Sequence, residues 1–126
     1  NGGAEAAFEA GKGYFLGVDS DQEMTFNEDL AAITMTSGMK NIGNSLIWVF
    51  DELDKGNEHW GTEVTLGIAE GGVGLVTDKN FAKYASDECK AAIEAAEAGI
   101  VSGEIPVSSD FTDHDKVMEL RDSVKP

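Results

Sequence analysis

An α/β fold, with helices on a small, mainly parallel sheet in three layers, is predicted by three observations on this 126-residue chain. An apolar run at residues 14–18 ends in the polar stretch Asp19-Ser20-Asp21-Gln22. Two segments, 38–54 and 86–102, carry apolar residues at helical spacing. Read from end to end, the elements run α, β, β, α, β, α, α, an alternation that marks an α/β domain.

Residues 4–10 read as a short helix with Ala4, Ala7 and Phe8 on one side, stopped by Gly11 and Gly13. The run 14–18 follows as a strand and delivers Asp19 at its carboxyl end, where open α/β sheets place their ligands. After an acidic loop at 21–29, residues 30–36 read as a second strand, with Ile33 and Met35 flanked by β-branched threonines. The clearest helix then spans 38–54, with Met39, Ile42, Gly43, Leu46, Ile47, Phe50 and Leu53 on one face, Ser37 as N-cap and Gly56 as stop.

The charges of that helix run backwards. Lys40 would sit in the positive first turn and Asp51, Glu52 and Asp54 near the negative end, each unfavourable by about 0.3–1 kcal/mol. The position three after the cap prefers Glu or Gln, yet it holds Lys40. Solvent, a ligand oxygen, or a carboxylate from Asp19 or Asp21 would compensate it.

A turn-rich link with His59 and Trp60 leads to 63–68, whose polar–apolar alternation reads as a half-buried strand. Glu70-Gly71-Gly72-Val73-Gly74 lacks the Lys and Ser/Thr of a P-loop and reads as a glycine-permitted bend. A helical turn at 81–84 precedes a helix capped by Ser86 or Asp87 and ended by Gly103, with Pro106 beyond. Cys89, the single cysteine, shares a face with Ala92, Ile93, Ala96 and Ile100 and is expected to be a buried thiol. Residues 112–126 form a charged tail in which Val117, Leu120 and Val124 recur at helical spacing, to pack or to fray.

Twenty-four acidic against nine basic residues leave a net charge of −15, which argues against nucleic-acid or anionic-membrane contact. His59 and His114 show no metal-ligand spacing, so no metal or other cofactor is expected. Trp48 reads as core; Trp60 and Phe26 lie in loops, from which they shield a helix end, the commoner role, or reach a ligand.

Gly17-Val18-Asp19-Ser20-Asp21-Gln22, Thr36-Ser37-Gly38-Met39-Lys40-Asn41 and Leu66-Gly67-Ile68-Ala69-Glu70-Gly71-Gly72-Val73-Gly74-Leu75, closed by Ile100-Val101-Ser102-Gly103-Glu104-Ile105, resemble in order and spacing the C-terminal part of the basic membrane protein family. The resemblance spans residues 4–107. It implies part of a two-lobed, periplasmic-binding-protein type I fold, Rossmann-like, that binds a ligand between lobes. The family comprises membrane-anchored, extracytoplasmic lipoproteins that serve ABC transporters, several of them purine nucleoside receptors, and not enzymes.

By that resemblance Asp19 and Lys40 hold the ribose hydroxyls of a nucleoside, with Asp21 the second candidate because a one-position slip exchanges the two carboxylates. A carboxylate accepts from two vicinal hydroxyls while an ammonium donates to the same oxygens, so the pairing suits the task. Residues 1–126 are read as a C-terminal piece of the binding domain, since Asn1-Gly2-Gly3-Ala4 looks like the end of the family's Gly-rich strand-to-helix turn. Residues 38–56 then pack on the other lobe, and the partners are an ABC permease and the missing N-terminal half or a second copy of the chain. Two other readings remain: a phosphoryl-accepting regulatory domain using Asp19, Asp21 and Lys40 with Mg²⁺, and a family member that senses another small ligand.

Overall fold

A computed structural model describes residues 2–107 and 114–125. Helix α1 (Gly2–Ala10) leads into strand β1 (Phe15–Asp19), followed by two short helices, α2 (Gln22–Thr25) and α3 (Glu28–Ile33). Strand β2 (Thr34–Lys40) runs into helix α4 (Ile42–Asp54); after an irregular stretch come strand β3 (Val73–Leu75) and helices α5 (Lys79–Tyr84), α6 (Asp87–Ser102) and α7 (His114–Ser123). The three strands form one sheet in the order β1-β2-β3, with β1 parallel and β3 antiparallel to β2. The fold is mixed α/β, as expected, with one antiparallel pairing in place of a mainly parallel sheet.

The expected acidic loop is two helices. Asn27 caps α3 by accepting from the Leu30 amide at 3.0 Å, and that helix consumes Leu30–Ile33 of the segment read as a strand. The strand itself is displaced toward the C-terminus because Thr34 and Ser37 find partners inside the body. Thr34 donates to the Leu30 carbonyl at 2.8 Å, and Ser37 accepts from the Gln22 amide at 3.1 Å; both side chains are fully buried. Ser37 therefore caps no helix, and α4 begins after Asn41. Lys40 is the last residue of a strand and never enters a helical first turn.

Residues 63–68 form no strand; the third strand is made by Val73–Leu75, directly after the glycines. The glycine reading holds at Gly71, whose φ is +66°, and at Gly72, where a Cβ would lie 2.6 Å from the Leu66 carbonyl oxygen. Helix α6 is capped as predicted, by Ser86 accepting from the Cys89 amide and by Gly103 in the left-handed region at φ +80°. At its end Ile105 folds back over Gly99 and donates its N–H to the Gly99 carbonyl at 2.9 Å.

Paired residues in the ladder share a face, so Val18, Gly38 and Leu75 lie on one side and Gly17 and Ser37 on the other. Helices α1, α2, α3 and α5 close the Gly17 side, with Ala4, Leu30 and Phe81 buried among the described residues. A Cβ on Gly17 would collide with Ser37 Oγ of β2 and with the Gln22 side chain of α2, which shows how closely both press on β1 there. Across the other face stands α6, with a cavity between.

Cys89 is exposed, against expectation: α6 borders the cavity only from Ile93 onward, through Ala96 and Ile100, one turn past the thiol. Helix α4 has its predicted apolar stripe but buries no residue: Leu46 and Phe50 are about as exposed as Leu16 and Val18 of the open sheet face. Within the tail, α7 forms while Val117, Leu120 and Val124 stay exposed; residues 112–113 and 126 of that segment lie outside the described residues.

Candidate functional site at the carboxyl ends of the parallel strands

Two parallel neighbours bring their carboxyl ends to the same edge, and here the register pairs Asp19 with Met39, one residue before Lys40. Asp19 closes β1 in the left-handed region (φ +70°), a conformation that non-glycine residues adopt rarely and that Asp tolerates better than most. Lys40 Nζ lies 3.3 Å from Asp19 Oδ1. Both side chains are about two-thirds exposed (63% and 67%), so the pair contributes only about 0–1 kcal/mol to stability. Its hydrogen-bonding capacity is largely unspent: the carboxylate has about four lone-pair sites and the ammonium three donors.

Asp19 and Lys40 border a cavity of about 470 Å³ between the open sheet face and α6, a size suited to a small organic ligand. Its walls are apolar, formed by Val18, Met39, Val73 and Leu75 from the sheet side and Ile93 and Ile100 from α6. Glu97 is the third charged group on its lining. The cavity thus offers an apolar floor with a charged rim, able to seat a flat apolar body and hold polar groups at one end.

Asp21 faces elsewhere. Its Oδ2 accepts from Lys79 Nζ at 2.6 Å, its side chain is 15% exposed, and Oδ1 is buried without a partner within the described residues. Donating to Asp21 raises the Lys79 ammonium above its ordinary pKa. Lys79 opens α5 and is a partner that sequence reasoning missed, yet the signal was present. A lysine in a helical first turn calls for a nearby carboxylate, and that argument, made for Lys40, describes Lys79. Asn80 completes the junction by donating to the carbonyls of Ala31 and Thr34, both at 2.9 Å.

Neither Trp60 nor Phe26 borders the cavity. Phe26 tilts against Phe15 with centroids 5.8 Å apart, and Trp60 stands by Trp48 and His59 at the C-terminal end of α4. Trp48 lies against the His59 ring at 5.0 Å instead of entering a core. Glu52 accepts from Lys55, Asn57 and His59, and these bonds lower its pKa to about 2. Among the described residues no group of three His, Cys, Asp or Glu side chains is placed to hold a metal ion. No described helix is long and apolar enough to cross a membrane.

No protein-family profile matches the chain. Basic membrane protein B of Borrelia garinii subsp. bavariensis is 36% identical over 80 residues, which cover 61% of this chain and 22% of the relative. Among solved structures, ABC transporter system solute-binding proteins from Aeropyrum pernix K1 superpose with a TM-score of 0.62 at 22% identity, over 91% of this chain and 38% of that one. The chain therefore spans well under half the length of either. By sequence it is basic-membrane-protein-like, and its fold is that of part of a substrate-binding protein.

Proposed function

We propose that the chain is part of the extracytoplasmic substrate-binding component of an ABC transporter, which captures a purine nucleoside in an interlobe cleft and presents it to a membrane permease. The observation that carries this reading is the meeting of Asp19 and Lys40, 3.3 Å apart and solvent-accessible, at the rim of an apolar cavity. An uncharged, partly aromatic ligand with vicinal hydroxyls suits that combination: the hydroxyls engage the acid and the amine, and the ring system engages apolar walls. The net charge of −15 favours an uncharged ligand over an anionic one.

The remaining length of the protein supplies the second lobe and the face that covers α4; exposure of the α4 stripe supports this. In the complete protein a lipoprotein anchor holds the domain at the outer surface of the cell membrane. Capture needs no covalent step, and the likeness to solute-binding proteins supports binding over catalysis.

Calorimetry on the full-length protein with adenosine, guanosine, inosine and ribose tests the reading. Binding of at least one nucleoside is expected, with Asp19→Ala weakening it by about a hundredfold or more, because that substitution removes the sugar's acceptor and leaves Lys40 without its partner. Undiminished affinity in Asp19→Ala would dismiss the assignment.

A further inference from the structure

Lys40 is held from behind by a junction that neither helix formation nor sheet pairing requires. Asn is among the best N-cap residues, yet Asn41, which occupies the N-cap of α4, makes no cap bond with its side chain. Its Nδ2 instead donates to the Gly71 carbonyl at 3.0 Å, and Asn44 Nδ2 donates to the same oxygen at 2.9 Å. The Asn41 backbone N–H donates to the next carbonyl, Gly72, at 2.8 Å. Three donors thus converge on two consecutive carbonyls where the chain leaves the sheet after Lys40 and where it returns before Val73.

The receiving side is equally specific. A Cβ on Gly71 would lie 3.0 Å from Asn44 Nδ2, and one on Gly72 would strike the Leu66 backbone, so both glycines are needed for the carbonyls to present themselves. Immediately beyond, Lys40 pairs with Val73 in the β2–β3 ladder. The Lys40 backbone is therefore gripped between a ladder on one side and the clasp on the other, and this fixes the direction in which its side chain sets out toward Asp19.

We propose that Asn41, assisted by Asn44, is a positioning residue for ligand binding: its bond to Gly71 sets the Lys40–Asp19 geometry that grips vicinal hydroxyls. This rests on the nucleoside reading above. Asn41→Asp is a discriminating variant, because Asp caps a helix as well as Asn does but has no donor for Gly71. Helix α4 loses no cap bond, since the Asn41 side chain makes none, while the clasp opens.

The test compares adenosine with 2′,3′-dideoxyadenosine by calorimetry on the full-length protein, so that the readout is the contribution of the hydroxyls alone. Wild type is expected to favour adenosine, and Asn41→Asp to lose about tenfold of that preference, the equivalent of one hydrogen bond, with its melting temperature preserved. Asn44→Ala, which removes one of the two side-chain donors, is expected to lose part of it and serves if Asn41→Asp does not fold. Preference retained in both variants but lost in Asp19→Ala would overturn the clasp and leave the nucleoside reading standing. Absence of any preference in wild type would overturn the reading and the clasp together.

Discussion

The two faces of one small sheet each carry an aspartate–lysine pair, and the pairs differ in what surrounds them. On the closed face Asp21 and Lys79 meet at 2.6 Å, with the carboxylate mostly buried under α2 and α5. On the open face Asp19 and Lys40 meet at 3.3 Å with both groups in solvent. The first pair ties α5 to the turn after β1, whereas the second adds little to the fold and keeps its bonding capacity for something else. The same chemistry two residues apart thus serves architecture in one case and is available for binding in the other.

The contrast can be broken first through packing. Phe81→Ala, on the closed face, should destabilise the chain by about 3–5 kcal/mol, whereas Val18→Ala on the open face should cost under about 0.5 kcal/mol. Urea unfolding of the 126-residue chain measures both. A large cost at Val18 would mean that the open face is covered in solution.

Next comes the exchange of roles between the two aspartates in the full-length protein. Asp19→Ala is expected to weaken nucleoside binding by about a hundredfold or more, the worth of two hydrogen bonds to a charged group, with an unchanged melting temperature. Asp21→Ala should lower the melting temperature by several degrees and leave affinity within about threefold, a change too small to count as a lost hydrogen bond. Similar behaviour of the two variants would erase the distinction between the faces.

A smaller effect is expected at Ser37, which is fully buried and accepts from the Gln22 amide. Ser37→Ala leaves that N–H without an acceptor and should cost about 1–3 kcal/mol in the same unfolding assay. Little or no loss would show that the amide finds another acceptor, such as the oxygen of Gln22's own carboxamide, which has no partner within the described residues.

The smallest effects are those of pH. Lys79 is raised above its ordinary 10.5, so its contribution is complete below that value and is lost as pH rises through the folded value. Glu52 is lowered from 4.5 to about 2, so its contribution is complete above pH 4.5 and is lost on descent toward pH 2. Thermal melts of Asp21→Ala and Glu52→Gln against wild type should converge with it at the alkaline and acid ends respectively. Parallel curves across the whole range would remove these pairs from the stability of the fold.

Where an element is defined by its own residues, the sequence was a sufficient guide. Strand β1, the α4 stripe and both caps of α6 depend on an apolar run, 3.6-residue periodicity, and the local chemistry of Ser86 and Gly103. Asp19 and Lys40 were singled out by motif resemblance and do meet in space. The backward-charge argument named a partner that Lys40 does have, but its premise that Ser37 began a helix fails, and the first-turn lysine is Lys79.

Tertiary structure alone decided the rest. Ser37 is indistinguishable from an N-cap until the Gln22 amide is brought to its hydroxyl, and Cys89 looks buried until α6 is rotated against the sheet. Residues 63–68 alternate like a strand, yet the ladder with β2 is taken by Val73–Leu75, because the Asn41–Gly71 clasp brings that segment alongside. Periodicity records which side chains prefer to leave water; which partner receives them depends on contacts between residues remote in the chain, and no local pattern encodes that.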